Sequence, residues 1–368
     1  MSNNYMEEGN KKKVRKVIRK KKSSRKGKKV KTVIGRIFAF IFITAFVLVI
    51  GLYGVMWILV NGPSKRAKEL FVVSVRETSA IGWFANLYMS EKEIQEILNG
   101  NKVVYSDEET DTSLIQIDKP DTEDEENNNQ GSEDPDKEEK DIEIVDITGP
   151  TYRGKLMIIK DPSRVIVGVK GAFDGTRGKT VKDIVLSYGA IGGTNGGEFE
   201  DPQGMGHGEY PVGLVMSEGK HAYGDLNTKY PLIIGFDNND ILRLESMTGQ
   251  EAIDAGIRDS VCFGGGPVLV KNGQASEVLG SSSGLNPRTA IGQRADGAVL
   301  LLVVDGRQAS SLGATFEDLI SIMLEYGAVN AANLDGGTSS NMVYEGDIIT
   351  NCSSLYGTRE LPTAILVK

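Results

Sequence analysis

The sequence predicts an α+β protein: a large mixed β-sheet core with few helices in one extracytoplasmic domain, preceded by a single transmembrane helix. Three observations predict it. Residues 37–60 form 24 consecutive uncharged positions, IFAFIFITAFVLVIGLYGVMWILV. From residue 147 to the C-terminus, short apolar runs alternate with Gly-rich turns, as in a chain of many strands. Between the two lies an acidic stretch, residues 107–146, with eighteen Asp or Glu against three Lys.

The 368 residues carry a net charge of −8, an average that hides opposite extremes. Residues 1–36 form a basic arm with fifteen Lys or Arg against Glu7 and Glu8. The uncharged run that follows reaches roughly 36 Å as a helix, enough for a hydrocarbon core of about 30 Å. A cleaved signal peptide has a shorter apolar region and ends in a small-residue cleavage site, and none follows Val60. The basic flank predicts a single-pass protein of the cell membrane, with its N-terminus in the cytoplasm and everything after Asn61 outside. Beside a span, such an arm fixes topology and suits anionic lipid head groups; nucleic acid is not the expected partner.

Residues 61–105 read as a juxtamembrane helical stalk. Ser90 and Glu93 have the spacing of a capping box, followed by Ile94, Ile97 and Leu98 on one face. Residues 106–146 read as an acidic disordered linker, because so polar a segment cannot bury enough surface to offset its ordering entropy. The alternating Asp ladder of a Ca²⁺ loop is missing from it. Residues 147–368 are the domain proper, with strands expected at 156–159, 165–169, 212–216, 232–236, 268–270, 298–304 and 364–367.

One unit is legible in more detail. Residues 298–304, AVLLLVV, are apolar on both faces, as a buried central strand must be. Asp305-Gly306-Arg307 follows. Thr315 and Asp318 then cap a helix whose apolar face is Phe316, Leu319, Ile320, Met323 and Leu324, and Gly327 ends it. Residues 328–334 form the next strand, followed by Asp335-Gly336-Gly337. If both strands run the same way in one sheet, Asp305 and Asp335 stand at the same carboxyl edge, where open sheets hold their ligands.

Four Gly-rich clusters carry polar residues suited to sugar hydroxyls and phosphate. They are Gly192-Gly193-Thr194-Asn195-Gly196-Gly197-Glu198-Phe199, Gly264-Gly265-Gly266-Pro267, Asn286-Pro287-Arg288-Thr289-Ala290 and Asn333-Leu334-Asp335-Gly336-Gly337-Thr338-Ser339-Ser340. Each alone is ordinary turn chemistry. Competing motifs fail. Gly178-Lys179-Thr180 lacks the first Gly of a phosphate loop, since Phe173 stands there. Gly280-Ser281-Ser282-Ser283-Gly284 has no helix signal after it. His207 and His221, the only histidines, cannot build a three-His zinc site. Two cysteines, Cys262 and Cys352, leave a disulfide open.

Together with Asp305-Gly306-Arg307, the clusters over residues 150–368 resemble the phosphodiester glycosidase family, in that family's order. Thr338 departs from the Gly that many members carry. The resemblance implies hydrolysis of a sugar-1-phosphodiester to free sugar and phosphomonoester, with a phosphodiester-linked glycan as substrate. It implies Asp335 as nucleophile or water-activating base, with Glu198 and Asp305 as the other catalytic carboxylates. Asn195, Gly196, Gly197, Arg288, Thr289, Arg307, Asn333, Gly336, Gly337, Thr338 and Ser339 would bind substrate, with the Arg288 fork on phosphate. A membrane tether and acidic spacer suit cell-wall or exopolysaccharide metabolism. Two alternatives stay open: a non-catalytic module holding anionic wall glycans, and a phosphodiesterase using Asp305 and Asp335 with a divalent cation. No cofactor other than that cation enters any of these readings.

Overall fold

The computed structural model describes residues 3–78, 81–104, 108–117, 141–264, 266–280, 283–354 and 357–368, with side chains from residue 30 onward apart from that of Gln203. The chain forms two compact units, Met1–Ser64 and Lys65–Lys368. The first is a single helix, α1 (Asn3–Asn61). Its segment Val30–Asn61 is long and apolar enough to cross a membrane, and the side chains of that segment are almost all exposed.

The second unit is built on a seven-stranded sheet. Its strands are β1 (Ile142–Thr148), β2 (Arg153–Ile159), β3 (Val268–Lys271), β4 (Gln274–Ala275), β5 (Arg288–Arg294), β6 (Val299–Val304) and β7 (Ala328–Asn333), in the order β4-β3-β7-β5-β6-β2-β1. Period-two alternation explains why β6 is apolar throughout. Leu300, Leu302 and Val304 pack under the helix Phe316–Glu325, with Leu319, Ile320 and Met323. Val299, Leu301 and Val303 face the other way, into a core shared with Val167, Ile234, Leu244 and Ile365 from two five-stranded sheets.

Strand β5 pairs antiparallel with both β6 and β7, so those two run in the same direction with β5 between them. Thr315 and Asp318 form the capping box that starts the intervening helix. The chain therefore leaves β6 and β7 at one edge, with Arg288 opposite Val304 in the register. Two strand spacings, roughly 10 Å, separate the exits toward Asp305 and Asp335.

Both boundaries of the linker and the stalk shift. Residues 118–140, the centre of the linker, lie outside the described residues, but its ends belong to the fold. Ile142 and Ile147 are buried in β1. The Thr110 hydroxyl accepts a hydrogen bond from the Leu244 N–H (3.1 Å), and Ile115 is buried. The dense charge of the stretch masked these apolar positions. The stalk is likewise part of the domain. Helices α2 (Lys65–Arg76) and α3 (Glu91–Gly100) belong to the second unit, and Lys102–Val104 pairs with Glu277–Leu279. Val72, Val73 and Val75 give α2 an apolar face to bury. Cys262 and Cys352 are both free thiols, and burial pushes the Cys262 thiol up to about 12.

Candidate active site

At the β6–β5–β7 edge lies a polar cavity of about 300 Å³. The turn from Asp335 to Thr338 forms one wall, and Arg288, Arg307 and Arg359 line the others with Glu77 and Asp201.

Asp335 follows β7 and is held by its backbone. Its N–H donates to the Gly196 carbonyl (3.4 Å), and its own carbonyl accepts from Asn195 Nδ2 (2.6 Å). Its Oδ1 accepts from the Gly336 N–H (2.9 Å), while Oδ2 is buried with no partner among the described residues. Burial pushes the carboxyl up from its ordinary 3.8 to about 6, against the opposing pulls of the Ser339 hydroxyl, the Arg359 charge and the Gly336 amide. A carboxylate that titrates near neutrality suits proton transfer. The turn needs Gly337 because its φ is +65°, a conformation that side chains rarely adopt.

The three arginines differ in what they already hold. Arg288 Nε donates to the Ala314 carbonyl (3.3 Å) and Nη2 to the Gly284 carbonyl (2.9 Å) and Glu77 Oε2 (2.6 Å), and its guanidinium stacks on Phe316 at 4.3 Å. Arg359 pairs with Asp201, donates to Thr338 Oγ1 (3.3 Å) and lies 4.8 Å from the Phe199 ring centre. Among the described residues Arg307 meets only neutral acceptors: its Nη2 donates to Thr78 Oγ1 and Asn286 Oδ1, both at 3.0 Å. Arg307 is exposed as a residue but turns its guanidinium toward the cavity, where partial loss of water, and then the neighbouring Arg288 charge, lower its pKa. A bound anion relieves both penalties.

Seven of the expected residues line this cavity: Asp335, Arg288, Arg307, Asn333, Gly336, Gly337 and Thr338. Others are placed differently. Asn195 and Thr289 are fully buried, and they spend their polar atoms on each other (2.7 Å) and on the Asp335 carbonyl, so they hold the Asp335 backbone and do not line the cavity. Gly196 and Gly197 serve close packing, since a Cβ would fall 2.4 Å from Thr363 Oγ1 or 2.5 Å from the Cys262 carbonyl. Ser339 is buried beside Asp335, near enough for its hydroxyl to act on the carboxyl but without a hydrogen bond of good geometry among the described residues. Glu198 accepts from the Gly264 N–H (3.0 Å) and is absent from the cavity lining. Asp305 is also absent, and its two oxygens accept from the Asn351 N–H and amide (2.8 and 2.7 Å). The expected pair of carboxylates in one cleft is thus corrected to Asp335 with Asp201 and Glu77. Among the described residues no group of three or more His, Cys, Asp and Glu is gathered as metal ligands.

Sequence reasoning missed Glu77, Thr78, Asp201, Asn286 and Arg359. Asn286 stood in a motif where only Arg288 and Thr289 were credited. Glu77 and Thr78 lay in the segment read as a stalk. Arg359 has no motif around it.

Residues 188–368 match the family described as phosphodiester glycosidase. A 105-residue stretch is 42% identical to an SPbeta prophage-derived uncharacterized protein YomE of Bacillus subtilis (strain 168), covering 27% of this chain and 16% of the relative. N-acetylglucosamine-1-phosphodiester alpha-N-acetylglucosaminidase of Mus musculus is 28% identical over 224 residues, covering 54% of this chain and 41% of that enzyme. The chain thus spans less than half the length of these curated relatives. The solved zebrafish N-acetylglucosamine-1-phosphodiester alpha-N-acetylglucosaminidase catalytic domain, auto-inhibited by its pro-peptide, shares the fold: TM-score 0.51 and 21% identity over 61% of this chain and 81% of that one. Residues 188–368, which carry β3 to β7 and the Asp335 turn, therefore belong to the phosphodiester glycosidase family.

Proposed function

We propose that this chain is a membrane-anchored hydrolase that cleaves a sugar-1-phosphodiester outside the cytoplasm, in cell-wall or exopolysaccharide metabolism. One observation carries the reading: a single cavity holds Asp335, with its raised pKa, and Arg307, a cation with no carboxylate partner among the described residues. Arg307 binds the phosphate, and Arg359 orients the Thr338 hydroxyl at the rim. Ionised Asp335 takes a proton from water as its oxygen bonds to the anomeric carbon. The bond from that carbon to the phosphate oxygen breaks, and the phosphomonoester leaves as a stable anion, so strong acid assistance is unnecessary. A carboxylate pair of the ordinary glycosidase kind is then not required.

The test is a panel of sugar-1-phosphodiesters with the full chain in detergent. The expected products are free sugar and phosphomonoester. Tight glycan binding without turnover would instead make the domain a binding module. The basic arm ahead of Val30–Asn61 supports an extracytoplasmic domain. Protease added to intact, wall-stripped cells should digest residues 147–368; their protection would reverse the orientation.

A further inference from the structure

Helix α2 lies outside the residues that match the family, yet the two residues that follow it, Glu77 and Thr78, line the site. Glu77 Oε2 accepts from Arg288 Nη2 and from Asn286 Nδ2, each at 2.6 Å. The Asn286 amide is thereby oriented. With Nδ2 committed to Glu77, its Oδ1 faces Arg307 and accepts from Nη2 at 3.0 Å. Thr78 Oγ1 accepts from the same Nη2 and donates to the Ser74 carbonyl (3.0 Å). Arg307 sits at φ +57°, a left-handed conformation that a non-glycine residue keeps only when its surroundings hold it.

The seam is built for permanent contact. Ser74 Oγ accepts from the Leu285 N–H (2.9 Å), and a Cβ on Gly284 would stand 2.2 Å from the Ser74 Cα, so the two backbones touch. Three valines of α2 are buried. A segment that blocked the site would place its side chain where the ligand goes. Glu77 is instead spent on Arg288 and Asn286, and a cavity of about 300 Å³ remains beside it, lined by Arg307 and Asp335.

We propose that Glu77 is a positioning residue of the anion subsite: acting through Asn286, and assisted by Thr78, it holds the Arg307 guanidinium toward the phosphate of the substrate. The membrane-proximal helix is then a working part of the site and not a spacer. This rests on the assignment of Arg307 to phosphate made above.

The test is a double-mutant cycle in the full chain in detergent, read by calorimetric titration with inorganic phosphate and by turnover of a sugar-1-phosphodiester. Glu77→Gln should weaken phosphate binding and raise KM by about tenfold, with kcat little changed. Thr78→Val, a second variant that leaves the Glu77–Arg288 pair intact, should shift both in the same direction. On an Arg307→Gln background neither change should weaken binding further. Effects that multiply on that background would make Glu77 merely structural and overturn the proposal. Faster turnover or tighter phosphate binding by Glu77→Gln would overturn it too, making α2 an inhibitory segment. If the wild type turns over substrate but phosphate binding is indifferent to Arg307, the proposal falls and the hydrolase reading stands. If the wild type neither binds phosphate nor turns over any diester, the hydrolase reading falls and takes the proposal with it.

Discussion

Asp335→Asn should lower turnover of a sugar-1-phosphodiester by at least about a hundredfold, the range that loss of a general base costs. The substitution keeps the shape and the Gly336 contact, since an amide oxygen also accepts from that N–H. It removes the one charge whose Oδ2 is buried without a partner among the described residues. The pH profile gives an independent readout. A base works ionised, so wild-type kcat/KM should rise with pH through a midpoint near the carboxyl's pKa of about 6, and the variant's residual activity should lose that limb. The stability sign runs the other way. The folded carboxyl titrates above its unfolded value, so its contribution to stability is full below the unfolded pKa of about 4 and is lost as pH rises through about 6. Asparagine never loses it, so the Tm of the variant at pH 8 should equal or exceed that of the wild type. If Asp335 only caps its turn, the variant instead loses about 1 kcal/mol of stability and stays active.

Arg307→Gln should lower kcat/KM by about a hundredfold, in the range measured when one charge-stabilising donor is removed. The loss should be specific for phosphodiesters, with a neutral sugar fragment bound as before. Arg288→Lys is the contrast. Arg288 is buried and its guanidinium is divided among Ala314, Gly284 and Glu77, with Phe316 against its face. A lysine cannot reproduce that planar fork. The substitution keeps a charge for Glu77 but gives up the Ala314 and Gly284 contacts and the stacking on Phe316, so this variant should show a clear drop in Tm with or without ligand. Equal melting temperatures for Arg288→Lys and the wild type, with phosphodiester affinity lost, would return the phosphate to Arg288.

The strands were legible because buried β-structure leaves apolar runs. The run at 298–304 predicted β6, and Thr315, Asp318 and Gly327 bracketed the helix after it. The strand–helix–strand order left the shared direction of β6 and β7 as a condition, and the structure meets it with β5 between them. The place of Asp335 at the sheet edge was legible because two glycines follow a buried strand. The fates of Arg288 and Asp305 were not, because a motif gives a residue's neighbours in sequence and not the partners that consume its hydrogen bonds. Asn351, which takes both oxygens of Asp305, lies 46 residues away. Glu77, 211 residues from Arg288, directly follows α2; the capping box of the next helix, at Ser90, was read correctly, but the docking face of α2 was not. The acidic linker hid strand β1 for the opposite reason: averaging charge over 40 positions erased the burial of Ile142 and Ile147.

The most direct measurement is hydrolysis of a sugar-1-phosphodiester by the full chain in oxygen-18 water, with mass analysis of both products. Attack at the anomeric carbon, with Asp335 as base and phosphate as leaving group, predicts one oxygen-18 in the free sugar and none in the phosphomonoester. Oxygen-18 in the phosphomonoester would mean cleavage of the phosphorus–oxygen bond and would contradict the account.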